Sequence, residues 1–170
     1  MITISYHPAF DAYHATLRLL QIVHFNPLQF FEYDRLRIID FYYTFPQQIK
    51  FIRLPKKHSK EQKRVAADPN QYHFSGTTPI VFSNMAPWQG AAIRLLRTKN
   101  LIDPSALRER DLVVVASELP PILRELVSIR SASTKARLSF LINVLGEFPL
   151  RGKDGLKDRT GLLNYKYDSI

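Results

Sequence analysis

The feature that most constrains the fold is a segment near the start of the sequence, Tyr6–Val23, which is predicted to form a helix with two apolar faces. Pro8 fits the first turn of a helix, where its missing N–H costs nothing. Large apolar side chains recur on one face at steps of three and four residues, namely Phe10, Tyr13, Leu17 and Leu20. The second face has smaller side chains, at Ala9, Ala12, Thr16, Leu19 and Val23. A helix that is apolar on two sides is packed between neighbours, so we expect it at the centre of the fold, with Phe10, Leu17 and Leu20 in the core.

The polar residues of this helix fall on one stripe and allow two interpretations. They are His7, Asp11, His14 and Arg18. The two histidines and the aspartate have the side-chain types and the spacing of metal ligands. Alternatively, Asp11 and Arg18 tie the helix to its neighbours while the histidines cap or pack. We prefer the second interpretation, because no other cluster of His, Asp or Glu in the sequence completes a coordination shell.

Composition predicts a small globular protein of a reducing compartment. A chain of 170 residues forms one domain, or one domain with a short appendage. The absence of cysteine excludes disulfides and thiol catalysis. The sequence starts without the basic and apolar run of a signal peptide, and its longest uncharged stretch is too rich in Pro, Gly, Asn and Gln to cross a membrane. We therefore expect a cytoplasmic protein with no membrane contact, a single helical domain over residues 1–150, and a Gly-rich basic tail over residues 151–170.

The positive charge is concentrated in one segment, Lys50–Arg64. The chain has a formal net charge of +9, and this segment has seven basic residues against Glu61 alone. Such a run is usually a solvated loop, but it also suits contact with DNA phosphates or with an acidic partner. The residues predicted to make this contact are Lys56, Lys57, Lys60, Lys63 and Arg64.

The middle of the chain reads as a series of helices. Helices are predicted from about Glu32 to Phe45 and from Ser59 to Ala67. Pro46 either ends the first of these or opens a short helix from Pro46 to Arg53, and residues 70–84 are predicted to be irregular. Asp40 lies in the apolar run Ile38-Ile39-Asp40-Phe41-Tyr42. A carboxylate in such surroundings needs a partner, because burying it unpaired is costly. Arg35, Arg37 or the basic stripe of the first helix are the candidates.

The second half predicts more helices and one strand. A helix starts at Ala86-Pro87, takes its period from Trp88, Ala91, Ala92, Leu95 and Leu96, and ends at Arg97–Asn100. The best strand is Asp111–Ala116, by shortness and β-branching. Helices follow from Glu118 to Ser131 and from a Ser133 cap to Gly146. A helix, a tight exit at Asn100, a turn and a strand are typical of a winged helix. The predicted class is α+β and mostly helical, with a winged-helix-like core, a short β-wing and extra flanking helices.

The sequence lacks the motifs of common enzymes. Gly152-Lys153-Asp154-Gly155 has no strand–loop–helix context and is not a phosphate-binding loop. Neither Gly-x-Ser-x-Gly nor His-Glu-x-x-His is present. We therefore predict a protein that is not an enzyme, with no catalytic residues, no metal and no cofactor.

Three motifs in order resemble a known family. They are Pro8-Ala9-Phe10-Asp11-Ala12-Tyr13-His14 with Arg18-Leu19-Leu20, then Leu36-Arg37-Ile38-Ile39-Asp40-Phe41-Tyr42 ending in Phe45-Pro46, and finally Gly155-Leu156-Lys157-Asp158-Arg159-Thr160-Gly161-Leu162 with Tyr165-Lys166-Tyr167-Asp168. Together they resemble the small middle component of ABC three-component systems, a group that includes the accessory subunit of Lamassu-type bacterial defence. The resemblance implies a non-catalytic subunit of winged-helix character that bridges an SMC-like ABC ATPase and an effector, often a nuclease, in defence against phage or plasmids.

A DNA-binding winged-helix transcriptional regulator is the alternative. Such a protein reads bases near the N-terminal end of its recognition helix. Here the helix after Ala86 has its cations, Arg94, Arg97 and Lys99, toward its C-terminal end. This placement favours the accessory subunit.

The tail, Arg151–Tyr167, also allows two interpretations. In the first, it anchors on the ATPase or the effector, as interfaces favour aromatic and arginine anchors. The candidate partner-binding residues are Leu156, Lys157, Arg159, Leu162, Tyr165 and Tyr167, together with His14 and Arg18 of the first helix. In the second, the tail closes the domain, with Tyr165-Lys166-Tyr167 pairing with the sheet edge near Val113.

Overall fold

The structure is a computed structural model, and it describes residues 7–25, 30–69, 74, 76–103, 112–114 and 118–164. The α-helices of these residues are α1 (Ala12–Phe25), α2 (Tyr33–Thr44), α3 (Ser59–Ala66), α4 (Thr78–Thr98), α5 (Pro121–Ala132), α6 (Lys135–Gly146) and α7 (Leu156–Thr160). Short 3-10 helices cover Pro8–Phe10, Pro46–Phe51 and Lys56–His58, and the strands are β1 (Phe30–Glu32) and β2 (Leu112–Val114). The predicted α+β class with mostly helical content is confirmed.

The predicted first helix is divided at Asp11. His7 caps a 3-10 turn by accepting the Ala9 N–H at Nδ1 (3.2 Å), and α1 starts after Asp11, whose Oδ1 accepts the His14 N–H at 2.9 Å. These caps satisfy backbone donors that a helix start leaves without partners. The α-helix therefore starts at Ala12, later than predicted, while Pro8 lies in the first turn of the separate 3-10 helix and Tyr6 lies outside the described residues.

Helix α1 lies at the centre of the fold, packed against α2, α4 and α5. Leu20 is in the core, and Leu17 is buried as expected. Phe10 is partly buried against the core, whereas Tyr13 is 63% exposed. The buried side of the helix is thus rotated toward the smaller face that includes Leu19.

Helix α2 is the second central element, and most of its residues are buried. Phe41 makes edge-to-face or tilted contacts with other rings, at centroid distances of 5.5 Å to Phe45, 5.8 Å to Phe82 and 6.4 Å to Phe74. Such pairs add to the stabilisation from burial alone. This aromatic cluster joins the end of α2 to α4.

Helix α4 is longer than the sequence predicts. It starts at Thr78, so the prediction of irregular structure up to residue 84 is wrong for its last seven residues, and Pro87 lies inside the helix rather than at its start. Buried Val81, Phe82 and Met85 hold the first turns against the core. The predicted exit is confirmed, because Asn100 has a φ of 55° in the left-handed region that Asn tolerates.

The two strands pair antiparallel, with Phe31 opposite Val113. A strand is confirmed at Leu112–Val114, within the predicted Asp111–Ala116, but no strand was predicted at β1. Because β2 pairs with a strand that precedes α2, the described residues show no hairpin of the kind that forms a wing. The winged-helix detail stays a prediction.

The C-terminal part packs back onto the helices. Helix α6 is preceded by Thr134 rather than by the predicted cap Ser133. Arg35 of α2 donates to the Leu145 and Phe148 carbonyls at 2.8 and 2.9 Å, which satisfies acceptors at the end of α6. Among the described residues, no helix has the length and apolar character needed to span a bilayer.

Candidate functional site

A buried polar network crosses the centre of the fold. Arg18 forms a bidentate pair with Asp40, from Nε to Oδ1 at 2.7 Å and from Nη2 to Oδ2 at 3.2 Å. Gln89 Nε2 donates to Asp40 Oδ2 at 2.9 Å, and Gln89 Oε1 accepts from Arg37 Nε at 3.1 Å. Asp40 and Gln89 are fully buried, and Arg18 is nearly so. The network fixes α1, α2 and α4 relative to one another.

The polar residues of the N-terminal segment mainly make structural contacts. His7 and Asp11 cap backbone N–H groups, and Arg18 ties α1 to α2, as the second interpretation expects. His14 is half-buried beside a polar cavity. The described part of the chain has no group of three or more His, Cys, Asp or Glu side chains arranged to hold a metal. Contact of His14 and Arg18 with another protein stays a prediction.

The basic surface consists of Lys56, Lys57, Lys60, Lys63 and Arg64, and all five side chains are exposed. These residues lie on the 3-10 turn Lys56–His58 and on α3, so the predicted helix from Ser59 is confirmed and the segment is not an irregular solvated loop. Gln62 Nε2 donates to the Ile49 and Ile52 carbonyls at 2.8 and 2.9 Å, and Val65 is buried in the core. The surface is therefore held on a rigid support.

Two cations of the basic surface have ion-pair partners. Lys57 Nζ lies 2.7 Å from Glu147 Oε2, and His58 contacts the same oxygen at 3.0 Å. The hydrogen bonds from Lys57 and then His58 hold the pKa of Glu147 below its ordinary value. Arg64 is 3.5 Å from Glu61. Within the described ranges, Lys56, Lys60 and Lys63 have no ion-pair partner, so their charges are open to a ligand.

The C-terminal segment, residues 151–164, packs closely against the rest of the chain. Leu156 is fully buried and Leu162 is 7% exposed, and both belong to the core. Lys157 Nζ reaches Asp34 Oδ2 at 2.9 Å. Leu156, Leu162 and Lys157 therefore have contacts within this chain. Their contact with a partner stays a prediction. Tyr165 and Tyr167 lie outside the described residues.

Arg159 links the segment to the region before the basic surface. Its Nη1 donates to the Arg53 carbonyl at 2.8 Å, and its guanidinium lies 4.3 Å from the Phe148 ring centroid. Arg53 in turn pairs with Asp158 at 2.9 Å. A backbone hydrogen bond from Asp154, followed by the Arg53 contact, lowers the pKa of Asp158.

Two exposed apolar faces were missed by the sequence analysis. The α4 face consists of Ile80, Trp88 and Leu95, which are 58%, 38% and 43% exposed. The α5 face consists of Ile122 and Ile129, which are 79% and 66% exposed, with half-buried Leu126 between them. The helical period of Trp88 and Leu95 was correct, but those two side chains point outward while Ala92 and Leu96 face the core. Contiguous exposed apolar residues mark interaction sites.

Comparison with known families gives a match to "ABC-three component (ABC-3C) system Middle Component 5" over residues 4–168. The chain belongs to this family. The resemblance drawn from the three motifs is thereby confirmed. No curated protein and no solved structure matches the chain.

Membership makes this middle component an accessory part of a system with further components. The exposed features described above are then candidate contacts with those components: the basic surface, the α4 face and the α5 face. They lie on different helices, so the protein has more than one candidate surface for contact with other components.

The middle component also has a large cleft beside the end of α1. Its volume is about 640 Å³, and His24, Leu119 and Ser131 are among the residues that line it. Burial lowers the pKa of His24, so the neutral imidazole is favoured there.

Proposed function

We propose that the protein is a non-catalytic accessory subunit that bridges an SMC-like ABC ATPase and an effector. The complex would act against phage or plasmids in the bacterial cytoplasm, as Lamassu-type systems do, with a nuclease as the expected effector. The observation that carries this proposal is the pair of exposed apolar faces on α4 and α5 in a chain of the middle-component family.

A bridging subunit needs two surfaces in a fixed relation, and the α4 and α5 faces satisfy this requirement. Helices α4 and α5 both pack against α1. The buried contacts of Asp40 with Arg18 and Gln89 hold α4 in place. A rigid support of this kind reduces the ordering cost of binding.

The composition of the two faces is typical of interfaces. Trp88 lies on the α4 face, and aromatic side chains are enriched among the residues that dominate binding energy. The α5 face is aliphatic and is flanked by exposed Arg124 and Arg130. An apolar centre with a charged rim is the usual arrangement of a protein–protein contact.

Co-purification of the assembled system tests the bridge. One variant combines Trp88→Asp with Leu95→Asp, and a second combines Ile122→Asp with Ile129→Asp. Each introduces charge into one face only, so each should lose one of the two partners and keep the other. Phe51→Asp is the matched control, since Phe51 is 65% exposed but belongs to neither face. If both double variants retain both partners, the bridge is overturned.

A second proposal concerns DNA, and it rests on the three lysines of the basic surface that have no ion-pair partner among the described residues. We infer that this surface contacts the DNA backbone within the complex. Phosphate contacts give binding that falls steeply with salt and does not depend on sequence. The rigid helical support keeps the charges of Lys56, Lys60 and Lys63 together, which favours simultaneous contact with neighbouring phosphates.

The test replaces all five residues of the basic surface by Gln and measures DNA retention by the complex across salt concentrations. Retention should fall and the salt dependence should become shallower. The control variant replaces Arg94, Arg97 and Lys99 by Gln, which removes the cations that a regulator would use on α4. Loss of sequence-specific binding in the control, with no effect of the five changes, would instead support the regulator.

A further inference from the structure

A small polar cavity lies between α1, the end of α2, α5 and α6. Its volume is about 280 Å³, and its lining includes Arg18, Gln21, Tyr43, Arg130, Ser133 and Arg137. Among the described residues that line it, none is an aspartate or a glutamate. The described part of the lining is therefore rich in hydrogen-bond donors and has no carboxylate.

One donor in the lining is buried and has no partner. Gln21 is 4% exposed, and its Nε2 makes no hydrogen bond with the described residues. Its Oε1 accepts from the Tyr43 hydroxyl at 3.4 Å, which orients the amide. A buried donor without an acceptor costs about 1–3 kcal/mol. Nε2 has almost no accessible surface of its own, so a rotation of the amide toward a bound acceptor would recover that free energy.

The arginines of the lining differ in how far their charge is compensated. Arg18 is paired with Asp40, and Arg137 is paired with Asp68 at 3.0 Å. Arg137 also donates from Nη1 to the Tyr43 carbonyl at 3.0 Å, which fixes its side chain. Arg130 is exposed and has no ion-pair partner in the described part of the chain. Its positive charge at the cavity mouth is available to a ligand.

We propose that this cavity binds a phosphate group. The donors come from α1, α5 and α6, so they surround the cavity from several sides, as a tetrahedral oxyanion requires. Guanidinium groups bind phosphate with charge-assisted, often bidentate hydrogen bonds. The volume lies just below the range of about 300–1,000 Å³ found for pockets of drug-sized ligands, so the phosphate is either free or attached to a small group such as a nucleoside.

Calorimetric titration of the full chain tests the proposal, with inorganic phosphate, adenosine monophosphate and acetate as probes at matched ionic strength. Phosphate and the monophosphate should bind, and acetate should not. Tighter binding of the monophosphate identifies a nucleotide as the source of the phosphate, whereas equal affinity identifies free phosphate.

Three variants locate the site. Arg130→Gln removes the uncompensated charge and should weaken binding about tenfold or more, as expected for a lost charge-assisted hydrogen bond. Gln21→Leu keeps the size of the side chain but removes the buried donor, and it should also weaken binding. Arg124→Gln, on the same helix but outside the cavity, is the control and should bind as the unmodified chain does. Equal binding of acetate, equal effects of Arg130→Gln and Arg124→Gln, or no effect of Gln21→Leu would each overturn the proposal.

Discussion

At the scale of single residues, Asp40 is the group on which the arrangement of the central helices depends. It is fully buried, and its two oxygens accept hydrogen bonds from Arg18 and Gln89. A buried carboxylate is tolerated when its charge is paired and its lone pairs are used. Arg18 lies on α1 and Gln89 lies on α4. The loss of either side chain therefore removes a hydrogen bond from the buried carboxylate.

Replacing Asp40 by Ala should lower the free energy of unfolding by about 3–5 kcal/mol, because it removes the carboxylate that pairs with the buried Arg18 guanidinium. Urea denaturation of the purified chain measures this loss. The double variant Arg18→Met with Asp40→Leu should be less destabilised than Asp40→Ala, since no charge remains buried. Glu61→Ala, which removes an exposed pair with Arg64, should change stability by less than about 1 kcal/mol. A double variant no more stable than Asp40→Ala would contradict this view of the pair.

The need of Asp40 for a cationic partner could be predicted from the sequence, because an acid in an apolar run has few alternatives. Which cation pairs with Asp40 could not be predicted from the sequence. Arg35 and Arg37 lie on the same helix as Asp40, yet Arg35 binds the end of α6 and Arg37 binds Gln89. The selection of Arg18 depends on how α1 crosses α2, and that geometry is set by packing rather than by local sequence.

At the scale of elements, α4 shows how a proline misleads a local prediction. Pro87 lacks the N–H that would donate to the Ser83 carbonyl, so it normally marks a helix start. Burial of Val81, Phe82 and Met85 outweighs that loss and extends the helix back to Thr78. The outward α4 face was missed for a related reason, since periodicity shows that a helix has faces but not which of them meets a neighbour.

Pro87→Ala should therefore stabilise the protein. Alanine restores the missing hydrogen bond of the helix, but it also removes the rigidity that proline gives the unfolded chain. The net gain in the free energy of unfolding is about 1–3 kcal/mol. Thermal unfolding followed by circular dichroism measures the effect. Pro79→Ala is the control, because Pro79 lies in the first turn, where a missing N–H costs little. A lower midpoint for Pro87→Ala than for the control would refute this account.

At the scale of the whole molecule, the C-terminal segment completes the core. Leu156 N–H donates to the Pro149 carbonyl at 2.7 Å, and its side chain is fully buried. Apolar residues among glycines suit both closure of the domain and binding of a partner, so the sequence alone does not decide between these two roles. The packing of Leu156 and Leu162 favours closure for the described part, and the division at residue 150 stays a prediction.

Ending the chain after Pro149 should accordingly unfold the domain, because it removes the three core leucines Leu150, Leu156 and Leu162 and the ion pair between Lys157 and Asp34. Loss of the cooperative thermal transition measures this outcome. Leu156→Ala is a milder change and should cost about 2–5 kcal/mol. A truncated chain that retains a cooperative transition near the original midpoint would show that the segment is dispensable for folding.

The C-terminal segment also requires a glycine at position 155, where its backbone lies close to the backbone of Pro149 and Arg151. A Cβ on Gly155 would lie 2.9 Å from the Pro149 carbonyl oxygen and closer still to that of Arg151. Gly155→Ala should therefore destabilise the fold by about 1–3 kcal/mol, as overpacking does. Gly146→Ala is the matched control, since a Cβ there meets nothing within 4 Å. Equal denaturation midpoints for the two variants would argue against this close approach.

The late position of these core residues couples folding to synthesis. A nascent chain lacks Leu156 and Leu162 until translation has passed them, so its core stays incomplete while the earlier helices are already made. Products of premature termination would expose apolar surface and be open to proteases and chaperones. Shortened copies would then be degraded before they joined a larger assembly that they could not complete.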